Sequence, residues 1–230
     1  MSSEPENDAI RLTAVRRMIA EKMHSSLQTS AQLSYHADVD ATTLVHARAA
    51  WRERGIGVGY DDLLAKVIAD VVPKHPQFNA IIDGDEAKFE ARVHVSVAIA
   101  LPGALVAPAI FDVQQKSIPE ILTARQDLIE RARLAKLTIA ELTGGTITLS
   151  NLGQSRVRHF TPILNAPQMA ILGFGQIAPR PWVDVAGQLC VRPVMGVSLT
   201  TDHRFVDGEP SAQFLTDVCE RLERAVPELA

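Results

Sequence analysis

Val194-Met195-Gly196-Val197-Ser198-Leu199-Thr200-Thr201-Asp202-His203-Arg204-Phe205-Val206-Asp207-Gly208 is the stretch on which the reading of this chain turns. It opens as an apolar run that reads as a buried strand and delivers a histidine at its tip. After His203 the chain runs through Asp207 and Gly208 and turns toward a final helix. A rigid strand end can hold a general base in place. A single histidine there is more often structural than catalytic, so the added information lies in the surrounding Asp-His-Arg-Phe-Val-Asp-Gly.

Size and composition narrow the classes. A chain of 230 residues supports one large domain with a full core or two small ones. No linker-like stretch divides it, so one domain over 12–230 is expected behind a disordered tail at 1–11. The 23 Lys and Arg against 27 Asp and Glu leave a net charge of -4 without a basic block, which argues against a nucleic-acid surface. The polar, acidic start Met1-Ser2-Ser3-Glu4-Pro5-Glu6 lacks the cationic and apolar regions of a secretory signal. No apolar run approaches the length of a membrane span. A cytoplasmic protein that engages neither nucleic acid nor membrane is the expectation. Cys190 and Cys219 are distant in sequence and form no Cys-x-x-Cys pair, so neither a disulfide framework nor a metal site is indicated, and both read as small buried residues.

Thr13 can cap a helix in which Val15, Met18, Ile19, Met23 and Leu27 make one apolar face, with Arg16 and Arg17 on its flank. Two arginines there usually form a solvated edge. Leu33 to Asp40 alternates as a half-exposed strand does, and Asp40 then caps a helix through Leu44, Ala47 and Trp51 that Gly55 ends. Gly55-Ile56-Gly57-Val58-Gly59 lacks the context of a phosphate loop and reads as a turn. Asp61 or Asp62 starts the next helix, which Pro73 ends. Val93 to Leu101 alternates as a strand, and Leu105 to Ile110 returns as a second strand that Pro108 places at an edge or bulge. His94 and Ser96 share a strand face, but residues so placed need not touch, and a structural role outweighs half a triad. Ser117 with Glu120, and Thr138 with Glu141, are capping boxes for two further helices. Gly144-Gly145 turns into Thr146-Ile147-Thr148-Leu149-Ser150-Asn151-Leu152-Gly153, and Met169 to Gly175 is another strand. The last helix begins at Glu209-Pro210-Ser211, with Phe214, Val218 and Leu222 as its buried stripe. These segments mix irregularly rather than as strict βαβ units, which supports a mixed α and β sheet domain.

Several of these stretches, in the same order, resemble the catalytic (E2) acyltransferase domain of 2-oxo acid dehydrogenase complexes, whose fold is shared with chloramphenicol acetyltransferase. Asp202-His203-Arg204-Phe205-Val206-Asp207-Gly208 is similar to the family's Asp-His-Arg-x-x-Asp-Gly, and Gly144 to Gly153 to its Gly-Gly-Thr-x-Thr-x-Ser-Asn-Leu-Gly. The helix from Val15 to Met23, the stretch Pro73 to Ala80 and the proline-rich Phe160 to Gln168 add to the likeness, which runs from about Leu12 to the C-terminus. The resemblance implies an α+β fold, a two-layer mixed-sheet sandwich assembled as trimers. It also raises the prospect of an intersubunit or coenzyme-side role for Arg16 or Arg17. His36 takes the place of a histidine often seen in the family's equivalent strand, although a solvent-facing strand histidine explains it equally well.

Acyl transfer between thiols needs a base for the incoming thiol and a donor for the developing oxyanion. A free thiol has a pKa of about 8.5 and a free imidazole about 6.5, so a neutral histidine can accept the thiol proton as attack proceeds. His203 is the candidate base. Ser150 takes the oxyanion donor's role by resemblance; alone, a Ser-Asn pair reads as a turn former. Asp207 could orient His203 or, with more weight, fix the strand-to-helix corner by pairing with Arg204, Arg16 or Arg17. The implied reaction moves an acyl group directly between a dihydrolipoyl thiol and coenzyme A, with His203 of one subunit working with residues of the next. Its partners are a lipoyl-bearing domain and the E1 and E3 components. The sequence contains neither a lipoyl nor a peripheral-subunit-binding domain. It therefore reads as an excised core, as a free-standing core served by lipoyl domains elsewhere, or, as the alternative, as an acyl-coenzyme A-dependent transferase with another small acceptor. A non-catalytic scaffold is the third class, and the presence of His203, Ser150 and Asp207 argues against it.

Overall fold

The run from Leu189 to Asp202 forms one 14-residue strand, and a computed structural model describing residues 11–224 shows how the sheet is built on it. The chain order is α1 (Ala14–Thr29), β1 (Gln32–Asp40), α2 (Thr42–Glu53), α3 (Tyr60–Val71), the hairpin β2 (Ala80–Asp83) and β3 (Glu86–Phe89), then β4 (Val95–Val97). There follow β5 (Ile99–Leu101), β6 (Ala104–Val106), β7 (Ala109–Ile110), α4 (Ile118–Arg133), α5 (Ile139–Thr143), β8 (Ile147–Asn151), β9 (Ala170–Phe174), β10 (Ala178–Val183), β11 (Leu189–Asp202) and α6 (Gly208–Glu223). The main sheet runs β1-β11-β9-β8-β4-β7, with β10 beside the first part of β11. β8 is parallel to β9 and β4, and the other pairings in the sheet are antiparallel.

Side-chain parity divides the sheet into two chemically different faces. Val39, Val95, Val97, Ile147, Leu149, Leu172, Phe174, Val197 and Leu199 join Leu44, Leu64, Ile68, Ile121, Phe214 and Val218 of the helices in one core. The opposite parity carries Ser34, His36, Ser96, Thr148, Ser150, Ser198 and Thr200. Four of these groups bond in pairs: Ser34 Oγ lies 2.7 Å from Thr200 Oγ1, and His36 Nδ1 lies 2.9 Å from Ser198 Oγ. The segment 152–168 crosses this polar face. Its backbone rests where Gly175 and Gly196 carry no side chain, and the Phe160 ring lies over Gly173, 2.8 Å from where a Cβ would stand.

Several expectations need local correction. The cap of α1 is Thr13, which accepts from the Arg16 N–H, but the apolar stripe on that helix is largely uncovered: Met18 is 68% exposed. The Asp40 carboxylate accepts from the Thr42 N–H one residue outside the helix boundary at Ala41. Asp61 and Asp62 sit within the first turn of α3, where Asp62 accepts from the Gly59 N–H. The single strand expected over Val93 to Leu101 breaks at Ala98; Val95–Val97 stays in the main sheet and Ile99–Leu101 leaves it to pair with Ala104–Val106. The second strand expected over Leu105 to Ile110 also splits: Ala104–Val106 pairs with β5 away from the main sheet, and beyond Pro108 only Ala109–Ile110 (β7) forms the main sheet's edge. Both cysteines are free and partly buried, and burial pushes the Cys219 thiol up to about 12. The tail at 1–11 lies, apart from Arg11, outside the described residues.

No helix among the described residues is long and apolar enough to cross a membrane. Replacing Gly196 by alanine would drive a Cβ into the Arg158 carbonyl and the His159 ring, so the crossing segment must lift. A loss of about 1–3 kcal/mol is expected from the urea midpoint. Gly57→Ala, which meets nothing within 4 Å, is the control that should leave the midpoint unchanged or slightly raised.

Candidate active site

His203 stands just past the end of β11, and the corner that carries it is held by the residue before it. The Asp202 carboxylate is fully buried. It accepts hydrogen bonds from the Ala31 N–H (3.2 Å), the Arg204 N–H (3.1 Å) and the Arg204 guanidinium, where the contact from Nη2 is 2.6 Å. The His203 N–H in turn donates to the Ala31 carbonyl at 2.8 Å. The histidine backbone is thus clamped to the α1–β1 connection by two bonds through Ala31, while its side chain remains 40% exposed. The carboxylate of Asp202 holds the Arg204 guanidinium above its usual range. Beside this corner lies a cavity of about 280 Å³ bounded by Ser30, Ile82, Leu164, Pro167, Gln168 and Arg204.

Of the two roles expected of Asp207, the one given more weight, an ion pair with an arginine, is not made. Its carboxylate is 86% exposed, stands 3.8 Å from His203 Nδ1 and pairs with no arginine among the described residues; Arg204 turns back to Asp202 instead. The reason is desolvation: a fully buried carboxylate needs its counter-charge far more than an exposed one does. Asp207 occupies the residue before α6, making no side-chain cap. Arg16 and Arg17 are exposed on α1, form no ion pair among the described residues and do not line the cavity.

Ser150 lies elsewhere. Its parity places it on the polar face at the end of β8, and its hydroxyl makes no hydrogen bond among the described residues. In register it faces Gly173 of β9, which faces Ser198 of β11, which faces His36 of β1. His203 lies five residues beyond Ser198, and β11 runs antiparallel to β9. The two candidates are therefore separated by roughly 16 Å along the strands and about 10 Å across them. One chain does not bring them together. His36, although in the Ser150 row, is held by Ser198 and the edge of His159; burial and then His159 lower its pKa. His94 and Ser96 are structural: His94 Nδ1 accepts from the Asp112 N–H and Ser96 Oγ from Gln168. No group of three or more His, Cys, Asp or Glu that could hold a metal occurs among the described residues.

The sequence model of the 2-oxoacid dehydrogenases acyltransferase family, catalytic domain, matches residues 4–229. The chain belongs to this family. Among curated relatives, the succinyltransferase component of the Haemophilus influenzae 2-oxoglutarate dehydrogenase complex is 33% identical over 219 residues, spanning 93% of this chain and 53% of the relative. The acetyltransferase component of the Corynebacterium glutamicum pyruvate dehydrogenase complex is 36% identical, spanning 97% of this chain and 35% of the relative. The chain thus covers about half or less of the relatives' length. Among solved structures, a probable dihydrolipoamide acetyltransferase from Listeria monocytogenes superposes with a TM-score of 0.90 at 30% identity, covering 97% of each chain. The Azotobacter vinelandii dihydrolipoamide acetyltransferase, studied for the roles of a serine, a histidine and an asparagine in its catalytic mechanism, gives 0.87 at 29% identity, covering 95% of this chain and 92% of that one. A chloramphenicol acetyltransferase, at 17% identity and a TM-score of 0.57 over 92% of this chain and 99% of that one, shares the fold. The expected family and the chloramphenicol acetyltransferase-like mixed-sheet fold are both borne out.

Sequence reasoning missed Asp202, which lay within the quoted motif; its signal was a carboxylate at the end of a buried apolar strand, which needs a partner. Asp202→Ala leaves Arg204 unpaired and the Ala31 N–H unsatisfied. It should lower stability by about 3 kcal/mol, the low end for breaking a buried pair, because Arg204 keeps some water access. Urea unfolding with an unchanged slope is the check.

Proposed function

We propose that this chain is an acyltransferase core that moves an acyl group between a dihydrolipoyl thiol and coenzyme A within a 2-oxo acid dehydrogenase complex, with its active sites between the subunits of a homotrimer. The observation that carries the reading is the placement, at opposite ends of one sheet, of an exposed histidine and a serine hydroxyl that is unbonded among the described residues. A cyclic arrangement, in which each subunit offers its His203 end to the Ser150 end of a neighbour, completes three equivalent sites.

In this reaction His203 accepts the proton of the incoming thiol as its sulfur bonds to the acyl carbon. The carbonyl oxygen becomes an oxyanion, and Ser150 Oγ donates a hydrogen bond to it, an interaction made mainly in the transition state and worth about 3 kcal/mol. Collapse breaks the bond to the outgoing sulfur, which receives the proton from the imidazolium. No acyl-enzyme forms. The Azotobacter protein's asparagine follows its histidine by four residues, the spacing of Asp207 from His203 here, which supports reading Asp207 as a group flanking the base. The lipoyl group comes on a separate domain, and the E1 and E3 components are the further partners. The curated relatives divide between acetyl and succinyl transfer, so the acyl group is left to the assay.

Transfer from acetyl-, succinyl- and branched-chain acyl-coenzyme A to dihydrolipoamide is expected for one of the three, and His203→Ala should abolish it. Ser150→Ala should lower kcat about 10²–10³-fold. Co-refolding the two variants in equal amounts should restore activity at about a quarter of the sites, since one heterologous interface in four then joins an intact histidine to an intact serine. Absence of transfer to any dithiol by the wild type would sink the dehydrogenase reading and favour another acceptor. Mixtures with no restored activity would remove the intersubunit site.

A further inference from the structure

We propose that Asp61 is a positioning residue for the reaction, acting on Ser150 through Asn151; this rests on the reading of Ser150 as the oxyanion donor. Because the Ser150 hydroxyl makes no hydrogen bond among the described residues, its place is set by the backbone at the end of β8. β9 ladders this strand end through Asn151 and on to the Leu152 N–H, but β4 pairs with β8 only as far as Leu149. Beyond Leu149 the strand is therefore held by its ladder along one edge alone, and a side-chain anchor adds to its hold. Asn151 is that anchor. Its side chain has the parity of Leu149 and points to the helix layer, opposite to Ser150. Both ends of its amide are used: Nδ2 donates to Asp61 Oδ1 at 2.6 Å, and Oδ1 accepts from the Gly153 N–H at 2.7 Å.

Asp61 is itself on firm ground. It lies in the first turn of α3, and its neighbour Asp62, fully buried, accepts from the Gly59 N–H at 2.8 Å and from the Arg125 guanidinium at 2.6 and 2.9 Å. Arg125 comes from α4, so two helices fix the turn from which Asp61 reaches β8. The glycine after the anchor completes the device: a Cβ on Gly153 would stand 2.8 Å from Asn151 Oδ1 and 3.1 Å from the Gly175 carbonyl. An oxyanion donor gains its effect from a fixed position, and a misplacement of half an ångström or more forfeits much of it. A carboxylate makes the stronger hydrogen bond to the amide.

The test is a double-mutant cycle in the transfer assay, on the full chain. Asp61→Ala should lower kcat about tenfold or more with KM for acyl-coenzyme A and for dihydrolipoamide unchanged. Asp61→Asn keeps an oxygen acceptor and should return kcat to within about twofold of wild type. In the Ser150→Ala background, Asp61→Ala should cause no further loss, because the group it positions is gone. Equal losses in both backgrounds, or no loss in either, overturn the proposal. If Asp61→Ala does not fold, Asn151→Ala removes the same bond from the other side and is read by the same cycle. Ser150→Ala with undiminished activity would instead remove the oxyanion reading, and it is measured first.

Discussion

The backbone ladder along β11 is the constraint on which the rest depends. One edge pairs with β1 from Gln32 opposite Asp202 to Asp40 opposite Val194, and the other edge takes β9 and then β10. Side chains alternate with a period of two, so a slip of one residue would bring Ser198 and Thr200 into the core and put Val197 and Leu199 on the polar face. The same register fixes where the strand stops, and so puts Asp202 where the α1–β1 connection can cover it. Core, polar face and histidine corner are one choice.

A hydroxyl-bearing sheet face is costly to bury unless its groups find partners. Here the segment 152–168 supplies them. Gln168 donates to the Gly145 carbonyl and accepts from Thr148 Oγ1; Asn165 donates to Thr148 Oγ1 and accepts from Lys22 Nζ at 2.7 Å. The chain of bonds ties α1 to β8 through the sheet's covered face, and partial burial lowers the Lys22 pKa. Gly173, Gly175 and Gly196 allow the segment to lie that close. The strands contribute hydroxyls and bare backbone, and the segment contributes amides.

Much of this was legible because it is local. Caps at Thr13, Ser117 and Thr138 are fixed by residues three apart, and the alternation in β1 and β11 is visible without a partner. The β2–β3 hairpin and β10 were not read: β2 and β3 are only four residues each, and β10 carries prolines at 179 and 181 that argue against a strand. Pairing choices were equally hidden. Nothing local says that Arg204 turns to Asp202 rather than Asp207, because that depends on which carboxylate the fold desolvates. The bond from Asn151 to Asp61 spans 90 residues and no periodicity announces it.

The separation of Ser150 from His203 also bears on the surface that the single chain leaves uncovered. Val15 at 55% and Met18 at 68% exposure lie on an amphipathic helix whose polar side would suffice for solubility, so their apolar stripe asks for cover. In the proposed trimer both deficits have one remedy. A heterologous contact joins two different patches, and three-fold closure leaves neither patch over. The proposed thiol chemistry gains by it as well. Two long thiol-bearing arms that must meet at one acyl carbon can enter a crevice between subunits from opposite ends, whereas a pocket within one chain would have to admit both through one mouth. Dividing the base and the oxyanion donor between subunits then makes assembly itself a condition of transfer.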